Sequence, residues 1–340
     1  MNPTWKRFLT FRNIFRCAVI VLLLFMPIGF GGNNGVINLF VQCLIYATFG
    51  ISWNIIAGYG GQSSYCHCAF ISIGAYVGAI GFTTFKISPI ITLPFGIALS
   101  VAFATFMGKA CFRYRGPLFG ITTIAFSELL RIALLICDGL TNGARGIMVT
   151  YRGSSFMNMQ FKTDIPYYYI MLVLLFLCMG ISAAFLHSKN GHYLQAIRDD
   201  EDAAISLGID SNQVKLRAFQ LSAAMVTVIG MIYAFFSAYI EPQTICGTDM
   251  MIRIAAIGYL GGNNRLSGPV LGAFIMLPII YFFSSFFTAW KATNFFYGLA
   301  LVIIILFAPD GLIPLSERWF ARLRDKLLQK HRMSNDEVAI

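Results

Sequence analysis

The chain has 340 residues, of which 57% are hydrophobic and 12% charged, and its mean hydropathy is +0.70. A soluble domain carries roughly a quarter charged residues, so a soluble fold is excluded. The net charge of +10 does not mark a nucleic-acid binder, because the basic residues cluster beside apolar segments, as the positive-inside rule places them.

Those clusters are Lys6, Arg7, Arg12 and Arg16, then Lys109, Arg113 and Arg115, then Arg318, Arg322, Arg324, Lys326, Lys330 and Arg332. Between them lie apolar runs of about 20 residues, the length that crosses a hydrocarbon core of about 30 Å. The expected fold is all-α, a polytopic membrane helix bundle. The N-terminal run from Cys17 to Phe30 has a basic lead but no small-residue cleavage site after it, so it reads as a retained first helix.

In chain order, about ten membrane-entering segments are expected, at 15–30, 36–57, 65–85, 89–108, 118–137, 165–186, 218–240, 250–260, 269–287 and 294–308. With the N-terminus inside, the basic turn 109–115, the loop 187–217 and the C-terminal tail all fall on the cytoplasmic side. An even number of crossings puts both termini there. The longest external loop is 138–164. The resulting division is a transmembrane domain over 1–315 and a basic cytoplasmic tail over 316–340.

Some segments are expected to be broken or re-entrant. Gly58-Tyr59-Gly60-Gly61 precedes the third, and Gly261-Gly262-Asn263-Asn264 cuts the eighth short. Irregular backbone at membrane depth survives only where protein buries it or where it lines a cavity. The two stretches read either as paired broken helices flanking a central pathway or as ordinary glycine turns. Gly74-x-x-x-Gly78 and Gly268-x-x-x-Gly272 predict close helix packing.

Few polar groups lie within the apolar segments. Glu128 and Arg131 are three residues apart and can pair on one helix face, as a structural ion pair or as a pathway group. His67 is either a pathway contact or a hydrogen bonder between helices. Cys66 and Cys68 flank it, but two thiols and one imidazole leave a four-ligand metal site incomplete. The eight cysteines read as small hydrophobes rather than as a disulfide framework.

The most polar stretch is SKNGHYLQAIRDDEDAAISLGIDSNQVKLRAF, residues 188–219. Its acidic run from Asp199 to Asp202 cannot lie in a bilayer. Ala203, Ala204 and Leu207 fall at i, i+1 and i+4, and Gly208 can end the helix they form. A short helix offered to a soluble partner is expected here. The chain has no phosphate-binding loop, no H-E-x-x-H and no nucleophile elbow. Nor does it hold a row of membrane carboxylates. Enzyme chemistry is therefore unsupported, an ion-coupled carrier would usually show more intramembrane acids, and a separate ATPase docked on the acidic loop fits better.

At this point the sequence resembles the LIV-type permeases, the membrane subunits of ABC importers for branched-chain amino acids and related small solutes. The resemblance spans about residues 36–315. It is carried by NIIAGYGGQSSYCHCAFISIGAY, RGPLFGITTIAFSELLR, GLTNGARGI, SKNGHYLQAIRDDEDAAISLGID, GYLGGNNRLSGPVLGA and LFAPDGLIPL, in the family order. Two departures are Cys66 and Cys68 in place of small residues, and Asn263-Asn264-Arg265 in place of a glycine-rich, uncharged stretch.

The resemblance implies a bacterial inner-membrane permease without a cofactor of its own, powered by ATP hydrolysed in partner subunits. The implied partners are ABC ATPases, a second permease (a second copy of this chain or a different one), an extracytoplasmic solute-binding protein and membrane lipid, with no nucleic acid. It also implies that residues 199–208 form the coupling helix, with Asp199, Asp200, Glu201, Ala203, Ala204, Leu207 and Gly208 meeting the ATPase. Gln62, Ser63, Ser64, His67, Thr122, Thr123, Glu128 and Asn142 are the candidates for a substrate pathway. An ion-coupled secondary carrier is the alternative reading.

Overall fold

The computed structural model describes residues 23–27, 29, 34–262, 264–286 and 298. The expected segment 294–308, the tail 316–340, the LFAPDGLIPL stretch, Asn263 and most of the segment 15–30 lie outside the described residues. The helices in chain order are α1 (Asn34–Asn54), α2 (His67–Thr83), α3 (Pro89–Cys111), α4 (Pro117–Ile136) and α5 (Ile165–Leu186). They continue with α6 (Lys189–Asp199), α7 (Glu201–Ser206), α8 (Ser211–Ser237), α9 (Thr248–Gly261) and α10 (Gly268–Phe286). One π-helical turn, Ile55–Tyr59, extends α1. Proline opens α3 and α4, where its missing N–H has no helical partner to lose.

Among the described residues, α1 with its π turn, α3, α4, α5 and α8 are long and apolar enough to cross a membrane. The chain is thus a multi-pass helical membrane protein. Two boundaries differ from expectation. Helix α8 starts at Ser211, seven residues before the expected 218, because Asp210 accepts from Gln213 N–H and caps the helix there. The stretch 187–217 is not one loop but holds α6, α7 and the first two turns of α8. The 14 residues of α9 reach only about 21 Å at 1.5 Å per residue, short of a full crossing, as the sequence suggested.

Helices α1 and α8 form the centre, with 67% of their apolar windows buried, against 22% for α3 and α4. Helix α2 packs against α8 and α3, while α5, α9 and α10 pack against α1 on the other side. The α2–α8 crossing is a glycine contact from both directions. A Cβ on Gly74 would sit 2.1 Å from the Thr227 carbonyl oxygen, and one on Gly230 would sit 2.5 Å from that of Ile71. The expected close packing at Gly74 is therefore backbone against side-chain-free backbone.

The bundle has two ends. One gathers the α3–α4 turn at 112–116, the break at 60–66 and α6–α7: a Cβ on Gly60 would touch Leu194, one on Gly61 would touch Arg198, and Arg115 reaches Asp202. The other gathers 138–164 with 238–247 through the antiparallel strands β1 (Ile147–Met148) and β2 (Tyr239–Ile240), an exception to an otherwise helical fold. Ser88 Oγ donates to the Met157 carbonyl at this end, 2.5 Å away.

Candidate functional site

The acidic stretch forms a compact element. Helix α6 stops because Asp200 is extended (φ −156°, ψ 107°), and its carboxylate accepts from the N–H groups of Asp202 and Ala203, both at 3.0 Å. That N-cap restarts the chain as α7, a contribution of about 1 kcal/mol for a cap of this type. The helix expected over 199–208 is therefore shorter: Asp199 ends α6 and pairs with Arg198 at 2.7 Å, and Asp200 is a cap. At the other end Gly208 takes φ +84°, a left-handed conformation that glycine adopts without steric cost. Its N–H meets the Ile205 carbonyl at 2.9 Å.

The expected shared face of Ala203, Ala204 and Leu207 is corrected. Ala204 is buried against the bundle, whereas Ala203 is exposed and Leu207 is 83% exposed. Neighbouring helical positions sit 100° apart, so Ala203 and Leu207 share the outward face and Ala204 does not. Ile205 is also exposed. Leu207 and, with about half its surface exposed, Ile205 thus present apolar surface at the bundle end among the described residues.

Glu201 points inward. Its Oε1 lies 2.6 Å from Lys215 Nζ and accepts from Ser211 Oγ at 2.5 Å, and its Oε2 lies 3.5 Å from Arg115 Nε. The Lys215 side chain is 0% exposed and that of Glu201 is 16% exposed. Partial burial pushes the Glu201 carboxyl up, but the hydrogen bonds from Lys215 and Ser211 and the charges of Lys215 and Arg115 outweigh it and hold the group below its ordinary value. Arg115 Nη1 also reaches Asp202 Oδ1 at 2.8 Å. Sequence reasoning missed Lys215, Ser211 and Arg115. A signal existed: Lys215 and Arg217 are cations at the head of an apolar helix, where an unpaired charge is costly. Arg115 was absorbed into the topology pattern.

The described pathway candidates take part in separate hydrogen-bond groups. Trp53 Nε1 donates to the Ser64 carbonyl at 2.7 Å, and Ser64 Oγ lies 3.3 Å from His67 Nδ1. His67 Nε2 lies 2.7 Å from Ser222 Oγ, which itself donates to the Ser52 carbonyl at 2.6 Å. With its proton so used, Ser222 accepts from His67, which fixes the Nε2–H tautomer. His67 thus has both ring nitrogens bonded, and through Ser222 it joins α1, α2 and α8. Thr123 is buried, accepting from Tyr65 N–H at 3.0 Å and donating to the Gly120 carbonyl at 2.7 Å.

Ser63 Oγ lies 2.8 Å from Tyr259 OH, and Gln62 keeps a buried Oε1 without a protein partner. Thr122 is half-buried and donates to the Leu118 carbonyl. Asn142 is exposed at the opposite end, where its φ of 57° closes the turn Asp138–Thr141. Asparagine tolerates that region better than most residues, so Asn142 serves the turn. Glu128 and Arg131 do pair, and Arg131 Nη1 donates to Gln243 Oε1 at 2.8 Å. Cys66 Sγ shares Ser64 Oγ with His67, whereas Cys68 Sγ turns to Ser127 Oγ at 2.9 Å.

The two glycine-rich stretches touch one another: a Cβ on Gly58 would lie 3.3 Å from Asn264 N. Asn54 Nδ2 donates to the Arg265 carbonyl at 3.1 Å, and Trp53 meets Tyr259 edge to face at 5.1 Å. Their breaks lie at the same end of the bundle as α7.

The family described as branched-chain amino acid transport system, permease component, matches residues 35–308. The chain is 25% identical to the high-affinity branched-chain amino acid transport system permease protein LivM of Escherichia coli (strain K12), covering 90% of this chain and 76% of that protein. It is also 25% identical to the autoinducer 2 import system permease protein LsrC of Yersinia enterocolitica, over 62% of this chain and 59% of that protein. No solved structure matches.

Proposed function

Because the chain belongs to the family of branched-chain amino acid transport permease components, we propose that it is the translocation subunit of an ABC importer in a bacterial inner membrane. Its cargo is a branched-chain amino acid or a related small polar solute. The observation that carries this reading is α7: a capped six-residue helix, ion-paired to the bundle, with Leu207 and Ile205 turned outward. A soluble ATPase with an apolar groove would bury both residues. The chain itself binds no cofactor and hydrolyses nothing; ATP is consumed by the docked subunits.

In this reading the α7 end is cytoplasmic, and so are both termini. About ten membrane-entering segments make up residues 1–315, followed by a basic tail over 316–340. A second permease, identical or different, completes the translocation unit, and a solute-binding protein delivers cargo at the end formed by 138–164 and 238–247. The ATP-bound partner prefers one permease conformation, and that differential affinity switches access from one side to the other. Within the pathway set, the half-exposed Thr122 and Glu128 on α4, with Gln62 and Ser63 at the break, remain the candidates for touching solute. His67, Thr123, Ser64 and Asn142 serve structure.

Uptake of radiolabelled leucine into proteoliposomes holding the co-expressed permeases and ATPases tests the reading, with binding protein outside and ATP inside. Accumulation that needs both ATP and binding protein is expected. Accumulation by this chain alone under a sodium or proton gradient would identify an ion-coupled carrier instead.

A further inference from the structure

Glu201 is shared between two ties of opposite character. The tie to Lys215 joins α7 to α8 and has a fully buried cation; separating it would strand that charge, so it stays closed. The tie to Arg115 joins α7 to the α3–α4 turn, and here Arg115 is 53% and its second partner Asp202 79% exposed. Exposed pairs of this kind are worth about 0–1 kcal/mol, weak enough to open and close in a working cycle.

Arg115 stands two residues before Pro117, the first residue of α4, with Gly116 at φ +59° between them. Helix α4 is among the least buried spanning helices, and at its far half Arg131 holds Gln243 of the turn before α9. An arginine therefore links this loosely packed helix to another element near each end.

We infer that Arg115 is a reversible latch that passes displacement of α7 to the head of α4, while Glu201 and Lys215 form the fixed pivot about which α7 moves. Arg115 is thus a positioning residue rather than an ATPase contact. This inference rests on the proposed ABC reading.

The test uses the complete transporter in proteoliposomes and the permease alone. With Arg115→Ala, the ATPase is still retained and hydrolysis continues, but solute moved per ATP falls about tenfold, within the usual range of coupling between sites. Arg115→Lys, which keeps one charged donor, recovers part of that ratio. Recovery that follows the charge at 115 is a result that a purely structural loss would not give.

In the permease alone, amide hydrogen exchange over 201–208 accelerates in Arg115→Ala. An unchanged transport ratio in Arg115→Ala would overturn the latch. So would loss of the ATPase from that variant, which would make Arg115 part of the docking surface. Accelerated exchange in Arg115→Ala, beside a folded wild-type permease that captures no ATPase, would overturn the transport role itself and leave a structural tie.

Discussion

Replacing Lys215 with methionine lowers the stability of the solubilised protein by about 3 kcal/mol, near the lower end of the range for removing one partner of a buried ion pair. The reason is Glu201. Its carboxylate is held at 2.6 Å by an ammonium with no solvent exposure, and its own side chain is only 16% exposed. Without Lys215 the negative charge keeps Ser211 and the more distant Arg115, which do not replace a direct cation. The residual exposure of Glu201 keeps the cost from the upper end of the range.

Lys215→Met together with Glu201→Leu recovers most of the loss, because an apolar pair of similar volume needs no compensation. The pH dependence carries the same sign. The folded Glu201 carboxyl titrates below its ordinary value. Its contribution is therefore fully present above that ordinary value and is lost only as pH falls through the depressed one. Thermal unfolding of the three forms at pH 7 checks the prediction. Equal midpoints for wild type and Lys215→Met would refute the pivot.

Replacing Leu207 with aspartate abolishes ATP-driven uptake while leaving the isolated permease as stable as wild type. Leu207 is 83% exposed, so its side chain contributes little to the fold. Burying a leucine on docking is worth about 1.5–3 kcal/mol, and a carboxylate forced into the same groove adds a desolvation penalty. A combined loss of about 3 kcal/mol weakens ATPase binding roughly a hundredfold. Ala204→Asp acts differently: it damages the permease itself, because Ala204 faces the bundle. Uptake and thermal unfolding measured on both variants separate a docking surface from a structural one. Normal uptake by Leu207→Asp would remove α7 from the docking account.

The sequence made the membrane class legible because bilayer length and apolar composition impose one dominant constraint. It also made the glycine packing at Gly74 legible, since a small residue spaced by four has few other uses in an apolar helix. Gly208 was readable in kind, as a terminating residue; Asp200 was read only as part of the acidic run, and as an N-cap it shortened the helix by restarting it after Asp199. The facing of Ala203 and Ala204 was not readable. It depends on which side of a two-turn helix the bundle occupies, and a six-residue helix has too few apolar positions to fix that.

The partnership of Glu201 with Lys215 and Arg115 was hidden for a related reason. The three residues lie on three elements, and spacing along the chain says nothing about contacts across a bundle. His67 had two readings in the sequence, and neither could have named its partners Ser64 and Ser222, which lie on other elements. The break at Gly60-Gly61 was correctly seen as irregular backbone. Its depth was not, because only the contacts with Leu194 and Arg198 place it at the α7 end.

The most direct test of the central claim is affinity purification of the tagged permease from its native membrane in mild detergent, with wild type beside Leu207→Asp. Both preparations are first shown to be folded by a single cooperative unfolding transition. An ATPase subunit that co-purifies with the wild type and is absent from Leu207→Asp is the predicted result. A folded wild-type permease that brings down no ATPase, or an ATPase retained equally by both forms, would contradict it.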